Sequence, residues 1–303
     1  MRVLVTGGTG FTGQAVARDL RAHGHRVIVL THRNRPIPTT AGPGGDELAV
    51  ADIRDRDELA RLVREAGIEG VCHLAALTRV RDSFADPIAY FDVNVGGSIA
   101  LLAALDGQAR RTGAPLALVF GSTGAVYGVR DGRLDEDEPT RPVNPYGASK
   151  LAAEALIGYQ AATGRLAAVT LRCFNIAGAV AGIGDQDTTR IIPTALAVAA
   201  GTTDQLQVNG DGTAVREYTH VADVATAYRL ALAAAVPGAH RIYNVGSGHG
   251  AAVTDIIDAV RRVTGRPLPV EHRPPAPEPA LVLADSARIR AELGWRPDRS
   301  SLD

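Results

Sequence analysis

The chain has 303 residues, 46% of them hydrophobic, with 32 Lys plus Arg against 33 Asp plus Glu and a net charge of −1. That length supports a large core, with one main domain and a smaller attached lobe, and excludes a stapled miniature scaffold. The positive residues are scattered, so no basic stripe offers itself to nucleic acid or a membrane surface, and small molecules are the expected partners. Cys72 and Cys173 lie in apolar runs without metal-ligand spacing, as reduced core thiols do. With no leader-like start and no apolar run of membrane-spanning length, a cytoplasmic protein without a metal site is expected.

In chain order, short β-branched runs alternate with Ala- and Leu-rich helical stretches: RVLVT, GQAVARDLRAHG, RVIVL, DELARLVREAG and GVCHLAA. The rhythm continues through a long helix from about 88 to 109, strand LALVFGS, a second long helix from about 146 to 163, and strand AAVTLRCF. This alternation predicts an α/β fold: a doubly wound parallel sheet of the Rossmann type over residues 1–175, with helices on both faces. Beyond Asn175 come Gly- and Asp-rich loops, a helix IIPTALAVAAG, strands QLQVNG and AVREYTH, a helix DVATAYRLALAAA and a strand RIYNVGS. Residues 176–303 are therefore expected to form a smaller α/β lobe, with about 220–247 returning to the main sheet. RPPAPEPALV reads as a loop before the ordered segment ADSARIRAELGW.

TGGTGFTG directly follows the first strand and opens a helix, placing Gly7, Gly10 and Gly13 at three-residue spacing. Glycines there let the backbone turn tightly and approach a pyrophosphate, which rests on the amides that begin the helix at Phe11, Thr12 and Gly13. The second strand ends in Thr31, His32 and Arg33, without the carboxylate that accepts from a ribose. A hydroxyl followed by arginine suits a 2′-phosphate, so NADP is expected in preference to NAD. After the third strand, Asp52 and Ile53 offer an acceptor and an apolar contact for the adenine, although Asp52 would also serve as a helix cap.

Lys150 is the single lysine of the chain, and it stands four residues after Tyr146 at the start of a predicted helix. Both side chains then project from one face, one turn apart. An ammonium beside a phenol stabilises the phenolate and brings the tyrosine towards working pH as a general acid or base. Upstream, LALVFGSTGAVYG ends a strand at the carboxyl edge of the sheet and presents Ser122 and Thr123, one of which can hydrogen-bond a substrate oxygen and share its proton with Tyr146.

Together the glycine loop, STGAVYG and NPYGASK resemble the extended short-chain dehydrogenase/reductase family, in its nucleotide-sugar epimerase and dehydratase branch. HLAALTRVRDS, DVNVGG, LRCFNIAG, GDGTAVREYTHVADV and YNVGSG extend the similarity over nearly the whole chain. The resemblance implies a Tyr146, Lys150 and Thr123 catalytic triad, Asn94 supporting the lysine through water, and Ala75 against the cofactor. It implies a nucleotide diphosphate sugar, UDP or dTDP, held near Asn175, Arg190, Arg216 and Arg273, with Leu206 and Val208 in the segment that meets the base. At Arg190 the family has an asparagine.

Dehydratases of this branch carry an Asp-Glu pair after the threonine, where this chain has Gly124 and Ala125. What remains implied is a 4-epimerase working through a 4-keto intermediate. Its rivals are an NADPH-dependent reductase of nucleotide-linked 4-keto-6-deoxy sugars and a catalytically silent dinucleotide sensor, which would have no need of the triad. The resemblance also implies a homodimer through the two long helices, and a final helix beyond WRPDRSSLD.

Overall fold

The structure, a computed structural model, describes residues 1–32, 47–275 and 279–299. Its first half runs β1 (Arg2–Thr6), α1 (Phe11–Ala22), β2 (Arg26–Thr31), β3 (Glu47–Val50), α2 (Arg56–Glu65), β4 (Gly70–His73), α3 (Val80–Ala85), α4 (Pro87–Phe91), α5 (Gly97–Thr112), β5 (Leu116–Thr123), β6 (Gly132–Leu134), α6 (Pro145–Ala161) and β7 (Leu166–Cys173). The second half runs β8 (Asn175–Ala177), β9 (Ala179–Val180), β10 (Ile183–Gly184), α7 (Ile191–Ala199), β11 (Leu206–Asn209), β12 (Val215–His220), α8 (Val221–Ala233), β13 (His240–Val245), β14 (Gly250–Ala252), α9 (Val253–Thr264), β15 (Val270–Arg273), β16 (Leu281–Ala284) and α10 (Ala287–Leu293).

Seven parallel strands form the main sheet in the order β13-β7-β5-β4-β1-β2-β3. Strand order reverses between β1 and β4, so a crevice opens at their carboxyl ends, where ligands of doubly wound sheets bind. One face is covered by α1 and α8 over Val16, Leu20, Val224 and Tyr228, and the other by α2, α5 and α6 over Leu59, Leu101 and Ile157. These strands read as continuous apolar runs because both of their faces are buried.

A second sheet, β14-β12-β16-β6, adds β8 beside β12, while β11 and β15 pair separately over α7 and α9. The chain crosses between layers more often than a boundary at 175 with one return at about 220–247 implies. β6 belongs to the second sheet, and Ile289 and Trp295 pack into the core under the main sheet, with Trp295 Nε1 donating to Asp223 O at 2.8 Å.

The expected helix from 88 to 109 is continuous over Pro87–Thr112 through a π turn at Asp92–Gly96. Against the expectation from sequence, it is long and apolar enough to cross a membrane; half of that apolar window is buried inside the fold. The second helix starts where the sequence specifies, with Asn144 Oδ1 accepting from Gly147 N at 2.7 Å and Pro145 in the first turn.

Candidate active site

The cleft begins at the glycine loop. Gly7 has φ +66°, and a Cβ there would lie 2.8 Å from Ala75 N. A Cβ at Gly13 would lie 2.2 Å from Gly7 O, so only hydrogen fits where α1 crosses the loop. Gly10 opens α1 without a side-chain cap. The first-turn amides of Phe11, Thr12 and Gly13 are thereby left for an anion, and this cradle fits a dinucleotide pyrophosphate.

At the end of β2, Thr31 is buried and its Oγ1 lies 3.2 Å from Thr9 Oγ1. His32 Nε2 lies 3.4 Å from Asp52 Oδ2. Hydrogen bonds from Arg54 to Asp52, at 2.6 and 2.9 Å, hold that carboxyl far below the usual carboxylate range. Asp52 is not a helix cap, since Asp55 takes that place by accepting from Glu58 N at 3.1 Å. Arg33 lies outside the described residues. Among the described residues, the end of β2 thus faces an ionised carboxylate, which suits ribose hydroxyls and repels a 2′-phosphate. The preference for NADP expected from Thr31, His32 and Arg33 finds no support among the described residues.

Across the crevice, β5 delivers Ser122 and Thr123 and α6 delivers Tyr146 and Lys150. The neighbouring hydroxyls differ sharply. Ser122 donates to Glu154 Oε1, and Glu154 in turn takes Arg172 at 2.8 Å, so Ser122 is tied into a buried ion pair. Thr123 Oγ1 accepts from Ala125 N at 3.1 Å, and its hydroxyl stands beside the Tyr146 phenol. Of the two, Thr123 is the hydroxyl that meets the phenol.

Tyr146 departs from expectation. Burial pushes its phenol up to about 12, against the opposing pull of Thr123 and the Arg190 guanidinium. Burial likewise pulls Lys150 down to about 8, against the nearby Glu154 carboxylate. Lys150 is 3% exposed and its Nζ lies 4.3 Å from the Phe120 ring centroid. Desolvation, not the ammonium, dominates the phenol in the free protein, and it arises only once the fold has closed over the ring.

Asn94 sits in the π turn, donates to Leu77 O (3.0 Å) and Ser149 Oγ (2.9 Å), and accepts from Leu77 N (2.8 Å). Its side chain is satisfied by these partners and does not line the cleft.

The cleft encloses about 1550 Å³ and is lined by Gly7, Gly10, Phe11, Thr12, Gly13, Thr31, His32, Asp52, Ile53, Ala75, Ser122, Thr123, Tyr146, Lys150, Asn175, Arg190 and Arg216. A single organic ligand commonly fills about 300 to 1,000 Å³, so there is room for two. On the far wall, Arg190 pairs with Asp185 at 2.8 Å, and Asn175 Nδ2 donates to Glu217 O at 3.1 Å. Arg216 and Glu217 alternate on β12, with Arg216 on the cleft side and Glu217 fully buried, accepting from Gly248 N and Ala284 N.

Three expected substrate contacts fall elsewhere. Leu206 and Val208 are 1% and 3% exposed in the core of the lobe, so their side chains face α7 and α9, not the cleft. Alternation along β11 decides this, because Gln207 and Asn209 take its open side. Arg273 lies in a separate shallow hollow with Gly210, Asp211 and His272.

The structure also adds residues. Arg79 Nε meets Asp187 at 3.2 Å across the mouth of the cleft, and Arg54 clamps Asp52 while reaching Asp92 at 2.5 Å. Arg79 belongs to HLAALTRVRDS, so that stretch carried a signal; nothing local marks Asp187 or Glu154.

A family model described as the NAD dependent epimerase/dehydratase family matches residues 3–246. The chain is 40% identical to a UDP-glucose 4-epimerase of Streptomyces lividans, covering 99% of this chain and 93% of that one. Among solved structures it is similar to a UDP-glucose 4-epimerase from Stenotrophomonas maltophila with bound NAD and formylated UDP-arabinopyranose, at 37% identity and TM-score 0.90, covering 100% and 94% of the two chains. A Brucella ovis UDP-glucose 4-epimerase in complex with NAD gives 33% identity, TM-score 0.91, and coverage of 100% and 95%. Both of these neighbours carry NAD, in line with the carboxylate at Asp52.

Proposed function

Because the chain belongs to the NAD dependent epimerase/dehydratase family, we propose that it is an NAD-dependent 4-epimerase of UDP-hexoses such as UDP-glucose. The observation that carries this reading is one cleft that joins the glycine loop to Thr123 and Tyr146, with Gly124 and Ala125, whose side chains have no proton to move, directly after Thr123. Gly7, Gly10, Phe11, Thr12 and Gly13 would hold the pyrophosphate, with Thr31, His32, Asp52, Ile53 and Ala75 around the adenosine and Lys150 at the second ribose. The bound dinucleotide supplies a hydride acceptor that can also give the hydride back.

Tyr146 takes the proton of the C4 hydroxyl as the C4 hydrogen departs as hydride, leaving a 4-keto sugar. Thr123 donates to the C4 oxygen and holds it against the phenol. When the ketone turns over and is reduced on its other face, Tyr146 returns the same proton to oxygen, so atoms and electrons balance with no net redox change. The phenol's high pKa in the free protein suits the donor role of that second half, whereas the first half needs the phenolate, which Lys150 and the positive charge of a bound oxidised dinucleotide would favour. Asn175, Arg190 and Arg216 would meet the diphosphate.

The decisive experiment incubates purified protein with UDP-glucose and no added nucleotide. UDP-galactose should appear, and denatured protein should release NAD. A strict requirement for NADPH, with turnover of a 4-keto sugar, would establish the reductase instead; bound nucleotide without any turnover would establish the sensor. We also propose a homodimer through α3 to α6, where Phe84, Ile88 and Tyr159 are 62%, 81% and 79% exposed. Sedimentation should give twice the mass of the 31.6 kDa chain.

A further inference from the structure

Between the glycine loop and the catalytic helix runs a line of buried polar side chains that the reaction scheme does not use. Thr6, the residue before Gly7, is fully buried, and its Oγ1 accepts from Leu74 N and Ala75 N, both at 3.1 Å. With both lone pairs taken, its hydroxyl hydrogen has one destination, His73 Nδ1 at 2.7 Å. That nitrogen must then be the unprotonated one. Burial pulls the His73 ring down to about 3, so the ring is neutral and carries its hydrogen on Nε2. Nε2 donates to Ser98 Oγ at 3.1 Å, and Ser98 Oγ donates to Asn94 O at 2.6 Å. The Asn94 side chain donates to Ser149 Oγ at 2.9 Å and clamps Leu77 on both backbone groups; Ser149 Oγ donates to Tyr146 O at 2.8 Å.

Every hydrogen in this line points from the glycine loop towards Tyr146. Each of Thr6, His73, Ser98, Asn94 and Ser149 is at most 2% exposed. The line passes through the Asn94 backbone, so it transmits position and no proton. The π turn at Asp92–Gly96 is where it changes helix, and single π turns inside α-helices recur at functional sites.

We propose that His73 is a positioning residue, whose fixed tautomer couples the geometry of the dinucleotide loop to the alignment of Tyr146 and of the Leu77 segment in the cleft wall. The proposal rests on the reading of Tyr146 as the proton carrier. It assigns a task to a histidine that touches neither ligand.

The test uses Ser98→Ala and Ser149→Ala, which cut the line on either side of Asn94 and leave the ring in place. Each should lower kcat about tenfold with KM changed less than twofold; that factor converts to about 1.4 kcal/mol, within the range of one buried hydrogen bond. The double variant should fall no further than the worse single. Leu101→Ala, on the same helix and fully buried, controls for lost stability and should keep kcat.

Two readouts need no substrate. Nitrogen-15 shifts of His73 should show a neutral ring with Nε2–H from pH 5.5 to 8.5, and the Leu77 amide should exchange at least tenfold faster in Ser98→Ala. Additive losses, a loss of kcat in Leu101→Ala equal to that in Ser98→Ala, or an Nδ1–H tautomer would overturn the proposal. A wild type without turnover would overturn the epimerase reading, while exchange and tautomer would still decide this one.

Discussion

The two walls of the cleft are built from different materials. On the dinucleotide side the groups on offer are mostly backbone: the bare first turn of α1, and glycines at positions where a Cβ would strike a neighbouring main-chain atom at 2.2 to 2.8 Å. On the sugar side they are long side chains held by counter-ions, such as Arg190 on Asp185 and Arg79 on Asp187. A backbone cradle is fixed by steric exclusion and costs little ordering on binding, whereas exposed ion pairs can trade partners at small cost. The first wall should therefore be brittle to substitution and the second tolerant, with Tyr146 at the seam the most sensitive of all.

The largest effect is expected there. Tyr146→Phe should reduce turnover roughly a thousandfold, within the usual span of general acid-base catalysis. It should leave the nucleotide bound, as read by absorbance after gel filtration. Retained turnover would remove the phenol from the mechanism. Next comes the ion pair behind the seam: Glu154→Gln leaves the Arg172 charge buried against Tyr127 and should cost about 3 kcal/mol in urea unfolding. Gly13→Ala, a single methyl on the brittle wall, should cost about 2 kcal/mol and strip the nucleotide. Arg79→Ala, on the tolerant wall, should cost under about 1 kcal/mol and shift KM by no more than a few-fold. If Arg79→Ala proved as damaging as Gly13→Ala, the contrast between the walls would collapse.

Lys150 gives a pH signature of the same seam. Its folded-state value of about 8 lies below the ordinary 10.5, so between these limits the unfolded chain binds the extra proton and stability rises with pH. Cys173 and Tyr146, both pushed up to about 12, work in the opposite sense. The signature is therefore the wild-type urea midpoint relative to that of Lys150→Met, which should rise as pH goes from about 8 to 10.5. A flat difference would mean that the ammonium is not desolvated.

The contrast also explains what the sequence made legible. Steric exclusion leaves its mark locally: Gly7, Gly10 and Gly13 must be glycine, and Asn144-Pro145 starts the helix that carries Tyr146 and Lys150. The parallel sheet was legible for a related reason, since strands buried on both faces are apolar throughout. Partners far apart in the chain leave no such mark. Ser122 meets Glu154, Glu154 meets Arg172, and Arg79 meets Asp187 only because the topology brings them together. The direction of the Tyr146 shift was missed because helical spacing reveals a neighbouring ammonium but not the desolvation of both groups. Leu206 and Val208 came to the base through the resemblance of their segment, which gives its place in the chain but not which side chains of the strand turn inward.

One feature of the seam has a practical use. Lys150 carries the one side-chain primary amine of the 303-residue chain, and it is 3% exposed. An acylating reagent that adds a fixed mass to amines has no other lysine to consume it. The rate at which that label appears on the peptide containing Lys150 is thus a built-in clock for opening of the cleft, with no engineered probe required.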